Sequence, residues 1–131
     1  MLTTETFGLS SSVRVAVSID LIGDLDATLA ATFSETLARL VSDEGVVDAF
    51  VSTKHLATSL PDGMSGVGAA IDAARAAGCR VVVDPGSRRM KAAFAAARMD
   101  LAAGATAFPS RRGRHLMLAR HATRETLRRT A

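Results

Sequence analysis

The residues best able to do chemistry gather in the middle of the chain. Leu60-Pro61-Asp62-Gly63-Met64-Ser65-Gly66-Val67-Gly68 brings together a carboxylate, a hydroxyl and three glycines. Glycines this dense invite a phosphate-loop reading. However, Gly66-x-Gly68-x-x-Ile71 lacks the third small residue of a dinucleotide fingerprint, and no Gly-Lys-Ser/Thr follows, so a P-loop is excluded. Close helix–sheet packing accounts for the glycines better. Asp62 and Asp26 are of the type that caps helix starts, with Thr28 as an alternative cap to Asp26. A carboxylate at Asp62 would also sit well against a helix dipole. Ser65, Ser59 and Thr58 are the hydroxyls of this stretch and read by themselves as ordinary loop or first-turn polar residues.

Catalytic chemistry finds little support elsewhere. Cys79 is the only cysteine, which forbids an intramolecular disulfide and fits a reducing compartment. It enters an apolar run and reads as inert packing. His55, His115 and His121 have neither the spacing nor the neighbours of metal ligands, and read as solvated or capping side chains. No nucleophile–base pair emerges, so we expect no enzyme, no cofactor and no metal.

The elements that must position the central segment follow from periodicity. Val13, Val15, Val17, Ile19 and Leu21 alternate with Arg14, Ala16, Ser18, Asp20 and Ile22, which predicts a strand. Phe7 and Leu9 suggest a short strand before it, paired as an antiparallel hairpin. Leu29, Phe33, Leu37, Leu40 and Val41 recur at helical spacing over 27–42, and Asp43-Glu44-Gly45 supplies the exit. Residues 46–51 read as a short interior strand, broken off by Leu60-Pro61-Asp62-Gly63. A helix over about 63–77 carries Val67, Ile71 and Ala74 inward and closes at Gly78. Residues 79–83 form the next strand, apolar enough for burial on both faces. After the Asp84-Pro85-Gly86 turn, Ser87 caps a helix over 88–99 with Met90, Phe94 and Ala97 inward. Ala107-Phe108 adds a last short strand.

At 131 residues and 48% apolar, the chain fits one domain with a core of aliphatic residues and Phe. Its charge is uneven. Residues 111–131 hold seven Arg against Glu125, whereas residues 1–110 hold nine Lys/Arg against twelve Asp/Glu. We therefore expect a domain over 1–110 and a basic extension over 111–131, either a helix from about Arg114 or disordered. No signal peptide or membrane span is expected, which implies a cytoplasmic protein.

The order strand–strand–helix–strand–helix–strand–helix resembles the STAS domain of bacterial anti-sigma-factor antagonists over about residues 5–105. Three patterns carry the resemblance. The long strand ends in Gly23-Asp24-Leu25-Asp26, close to the family's Gly-Glu-Leu-Asp. A short strand then leads to a motif of the Asp-Ser-Ser-Gly-Leu type at a helix start. An apolar strand, a Pro-containing turn and a last helix complete the order. The resemblance implies an α/β fold with a mixed sheet of about four to five strands and helices packed mainly on one face.

The second pattern is where this chain departs. Counting back from Gly78, or forward from Phe50 and Val51, puts the family's phosphorylatable serine at Asp62. A rival register sets Ser65-Gly66-Val67 on Ser-Gly-Leu, with a helix three residues shorter, turned by about 300°. The resemblance implies a protein-binding regulator in a partner-switching pathway. Its partner would be a kinase-like ATPase anti-sigma factor, and a homodimer is compatible with it. The binding surface would comprise Asp24, Asp26, Asp62, Gly63, Met64, Ser65 and Val67, with Ser65 the candidate phosphosite. Asp62 cannot be a target of serine phosphorylation, so it either imitates the phosphorylated state or marks binding without a switch. A reading from another class is a small nucleotide- or nucleic-acid-binding protein using the glycine-rich helix start or the Arg-rich tail. The tail has no aromatic residue for base stacking.

Overall fold

The computed structural model describes residues 16–97, 99, 113–119 and 122–128. The elements run β1 (Ala16–Leu25), α1 (Ala27–Asp43), β2 (Asp48–Ser59), α2 (Pro61–Ala76), β3 (Arg80–Asp84), α3 (Arg88–Ala96), β4 (Gly113–Ala119) and β5 (Ala122–Arg128). The strands form one sheet of order β3-β2-β1-β4-β5. Its pairs are parallel except β4 with β5. The fold is thus α/β with a mixed five-stranded sheet, as expected.

Alternation decides which face is covered. Val17, Ile19 and Leu21 of β1, Ala49 and Val51 of β2, Val81 and Val83 of β3, and Leu116 and Leu118 of β4 join one buried cluster. The same cluster takes Leu29, Phe33, Leu37 and Leu40 of α1, Val67, Ile71 and Ala74 of α2, and Met90 and Phe94 of α3. All three helices therefore lie on one face of the sheet, and their apolar stripes fall at the helical spacing that the sequence shows. Ala97 is an exception to the expected stripe. It is the C-cap of α3 and exposed, because α3 ends one residue earlier.

Two further expectations need correction. The strand expected over 46–51 is longer than its sequence pattern: β2 runs on to Ser59 beside the end of β1. Register shifts between Asp20 and Ile22 and between Gly23 and Asp24 disrupt the period-two pattern there, which leaves the adjacent Lys54 and His55 both exposed. The described residues of the basic segment, 113–119 and 122–128, form strands and not the expected helical or disordered extension. Residues 113–119 pair in parallel with β1 over Val17–Leu21, and 122–128 turn back as the antiparallel partner. Burial over His115-Leu116-Met117-Leu118 alternates at period two, a pattern that the flanking Arg114 and Arg120 obscure in the sequence. With β2 on one edge of β1 and β4 on the other, no edge beside β1 is left for an antiparallel hairpin partner over Val17–Leu21. Phe7, Leu9, Ala107 and Phe108 lie outside the described residues.

Candidate functional site

The site sits where the starts of α1 and α2 meet. α1 begins at a side-chain cap: the Asp26 carboxylate accepts from the Leu29 N–H at 2.9 Å. α2 begins differently. Its N-cap is Leu60, which offers no side-chain acceptor, and Pro61 follows in the first turn. Asp62 is therefore not the cap that its type suggests. It lies in the first helical turn, exposed, where the dipole still favours its charge. α2 starts at Pro61, without the three-residue shortening that the Ser65 register would need.

One carbonyl holds the two starts together. Leu25 accepts from the Leu60 N–H at 2.9 Å, and Gly63 lies directly over the same group. A Cβ at Gly63 would stand 2.3 Å from the Leu25 oxygen, a distance no side chain tolerates. One turn on, a Cβ at Gly66 would stand 2.7 Å from the Ala30 Cβ of α1. These glycines let α2 press onto β1 and α1, so their role is packing. A phosphate-cradling role loses its support here.

The remaining expected residues divide by burial. Gly63, Met64 and Val67 are buried, and Val67 is wholly inaccessible, so none of these three offers a side chain to a partner. Asp24, Asp62 and Ser65 are exposed and Asp26 is half-buried. The Asp24 carboxylate accepts from the Thr58 hydroxyl at 2.8 Å across the β1–β2 ribbon. Asp26, Ala27 and Thr28 on one side and Leu60, Pro61 and Asp62 on the other line an open groove of about 470 Å³. Leu60 is an exposed large hydrophobic side chain, 48% accessible. Sequence reasoning passed over it as part of a chain break. Its signal was its position: a leucine immediately before Pro-Asp-Gly stands where a helix would ordinarily have a polar cap.

Outside the groove, the structure makes pairs that sequence reasoning missed. His115 Nε2 lies 2.8 Å from Asp20 Oδ2, half-buried, on the sheet face away from the helices. This corrects the solvated reading of His115. Arg80 Nε meets the buried Asp48 carboxylate at 3.0 Å, and Arg114 pairs with Glu44 at the end of α1. His55 is exposed, and His121 lies outside the described residues. Burial, then the nearby Asp48 carboxylate, push the Cys79 thiol up, which keeps it protonated and unreactive. Among the described residues no group of His, Cys, Asp or Glu is placed to hold a metal. No helix among them is long and apolar enough to cross a membrane.

Neither a family model nor a curated protein matches the chain. Among solved structures, the STAS domain of a SulP transporter from Vibrio cholerae is similar over 69% of each chain, with a TM-score of 0.54 and 18% identity. At that identity the likeness speaks to the fold, and the chain has a STAS-like fold.

Proposed function

We propose that this domain is a regulatory binding module of the partner-switching kind, with an anti-sigma factor of the kinase-like ATPase type as its protein partner and no catalysis of its own. Leu60 is the observation that carries the reading. A leucine at an N-cap leaves the α2 start less stable than Ser or Asp would by about 1 kcal/mol, and its side chain projects beside an open groove. Local rules broken in this way tend to mark functional positions. Exposed carboxylates at Asp24 and Asp62 flank it. The STAS-like fold supports the same surface, since antagonists of that resemblance use the start of this helix.

Asp62 stands where such antagonists have phosphoserine, so the switch is fixed in one charge state unless Ser65 takes over. The working location is the cytoplasm. Affinity capture on the natively expressed protein tests the reading. The wild-type chain should retain a kinase-like ATPase, and Leu60→Asp should lose it. Exhaustive capture that recovers no such partner overturns the reading. Phosphopeptide mass spectrometry of the same material reads the switch, with modified Ser65 showing that it has moved one turn along α2. The geometry of the described residues does not favour the nucleotide or nucleic-acid alternative, because Gly63 and Gly66 are spent on packing and Arg114 and His115 meet Glu44 and Asp20 within the fold.

A further inference from the structure

The body of the domain is acidic, yet its cations are not spread evenly. Residues 1–110 hold nine Lys/Arg against twelve Asp/Glu. Four of the nine, Lys54, Arg88, Arg89 and Lys91, come together where the outer part of β2 meets the start of α3, and all four are exposed. The backbone fixes this corner. The Thr53 hydroxyl donates to the Asp84 and Pro85 carbonyls at 3.2 and 3.0 Å, which ties the loop before α3 to β2. Gly86, at a φ of 74°, then lies against Lys54: a Cβ there would stand 2.2 Å from the Lys54 Cβ. The Arg89 guanidinium donates to the Ala57 carbonyl at 3.1 Å and tethers α3 to the same strand. Arg88 and Lys91 share a face of α3, which the exposed Ala92 and Ala95 continue. Segment 84–91 carries three of the cations and one carboxylate, Asp84, which accepts the Gly86 N–H at 3.0 Å. Among the described residues, no carboxylate pairs with Lys54, Arg88 or Lys91.

From this concentration of charge we infer that the β2–α3 corner is a second interaction surface, which receives an acidic segment of a protein partner. Carboxylates one helical turn apart on that segment lie over Arg88 and Lys91 and reach Lys54, and the small Ala92 and Ala95 let its backbone come close. Complementary charge sets the choice, since a basic segment would meet four like charges. Nucleic acid fits this corner less well. The chain has neither Trp nor Tyr, and Phe94 of α3 is wholly buried, so α3 offers no ring for base stacking. A lipid surface fits less well too, because the large apolar side chains of α3, Met90 and Phe94, are turned into the core and cannot anchor it. The inference goes beyond the binding-module reading: its residues lie outside the groove of α1 and α2, and it stands or falls by itself.

The test is a titration of the full-length chain, followed by its backbone amide shifts, with a capped peptide repeating Glu-Ala-Ala-Glu over about fifteen residues, long enough to hold a helix. The amides of 54–57 and 86–92 should shift, and a peptide with Lys in place of Glu should shift none of them. Arg88→Glu should weaken binding about threefold and its combination with Lys91→Glu about tenfold, with both effects fading in high salt. Lys54→Gln, on the other element, should weaken it about twofold and keeps the test open if the helix variants fail to fold. Arg39→Glu reverses an exposed charge in the second half of α1 and should leave binding near wild type. Absence of shifts at the corner overturns the inference, as does equal weakening by Arg39→Glu. Tighter binding of single-stranded DNA or of phosphatidylserine vesicles at the same amides overturns the choice of a protein partner. Each of these outcomes leaves the binding-module reading to its own capture experiment, which reads Leu60.

Discussion

At the scale of single residues, the two aspartates at the helix starts do different work although their types are identical. Asp26 accepts the Leu29 N–H and caps α1. Asp62 lies inside the first turn and caps nothing. Asp26→Ala should therefore cost about 1 kcal/mol in a urea titration, whereas Asp62→Ala should leave the midpoint near wild type and show its effect in binding. The glycines of α2 separate by sign as well. Gly63→Ala forces a Cβ into the Leu25 backbone and should cost about 2–3 kcal/mol. Gly68→Ala meets the flexible end of Met99 at 3.2 Å and should gain up to about 1 kcal/mol from helix propensity. Equal losses at both positions would refute the packing account. Cys79 gives a pH dependence. Its folded thiol titrates above its unfolded value, so above about pH 8.5 the unfolded chain loses the proton first. Stability should then fall with rising pH in that window, and Cys79→Ala should flatten the slope. This is checked by denaturant midpoints between neutral and alkaline pH.

At the scale of elements, legibility in the sequence tracks how cleanly one face of each element is apolar. β1, α1 and α2 could be read because Val17/Ile19/Leu21, Leu29/Phe33/Leu37 and Val67/Ile71/Ala74 repeat at a single period and point to one cluster. The outer part of β2 was hidden because bulges break that period. β4 was hidden because an arginine-rich composition suggested solvent, while Leu116 and Leu118 are in fact 1% and 0% exposed. The candidate site was half legible. The position of the helix start and its acidic residues came from sequence. Which of Asp62, Met64 and Val67 face water depends on how α2 is rotated, and that is set by Gly63 and Gly66 pressing onto Leu25 and Ala30. Leu60 could not be weighed without knowing that half of it stays exposed. Leu118→Ala provides the element-scale test of β4. A strand buried in the common core should lose about 2–5 kcal/mol on that change, and a solvated helix or tail would lose nothing measurable.

At the scale of the whole molecule, the basic segment and the acidic body are one structure. β4 supplies the second hydrogen-bonded neighbour of β1, and Leu116 and Leu118 close the cluster against α1. Arg114 and His115 meet Glu44 and Asp20 of the body. The surface pairs contribute little by themselves. Burial of the two leucines and completion of the ladder beside the central strand are what bind the segment in. A chain ending at residue 112 should consequently lose far more than a tail. It exposes the flank of Val17, Ile19 and Leu21, leaves backbone donors and acceptors of β1 without their ladder, and strands the Asp20 carboxylate without His115. We expect this truncation to abolish the single cooperative unfolding transition, with dye-accessible apolar surface and reduced β content by circular dichroism. A truncated chain that unfolds at the wild-type midpoint would return residues 113–131 to the status of an appendage and reopen their arginines for nucleic acid. A chain that collapses in this way assigns the charge of residues 113–128 to the fold, with Leu116 and Leu118 as the side chains that hold the segment in the core.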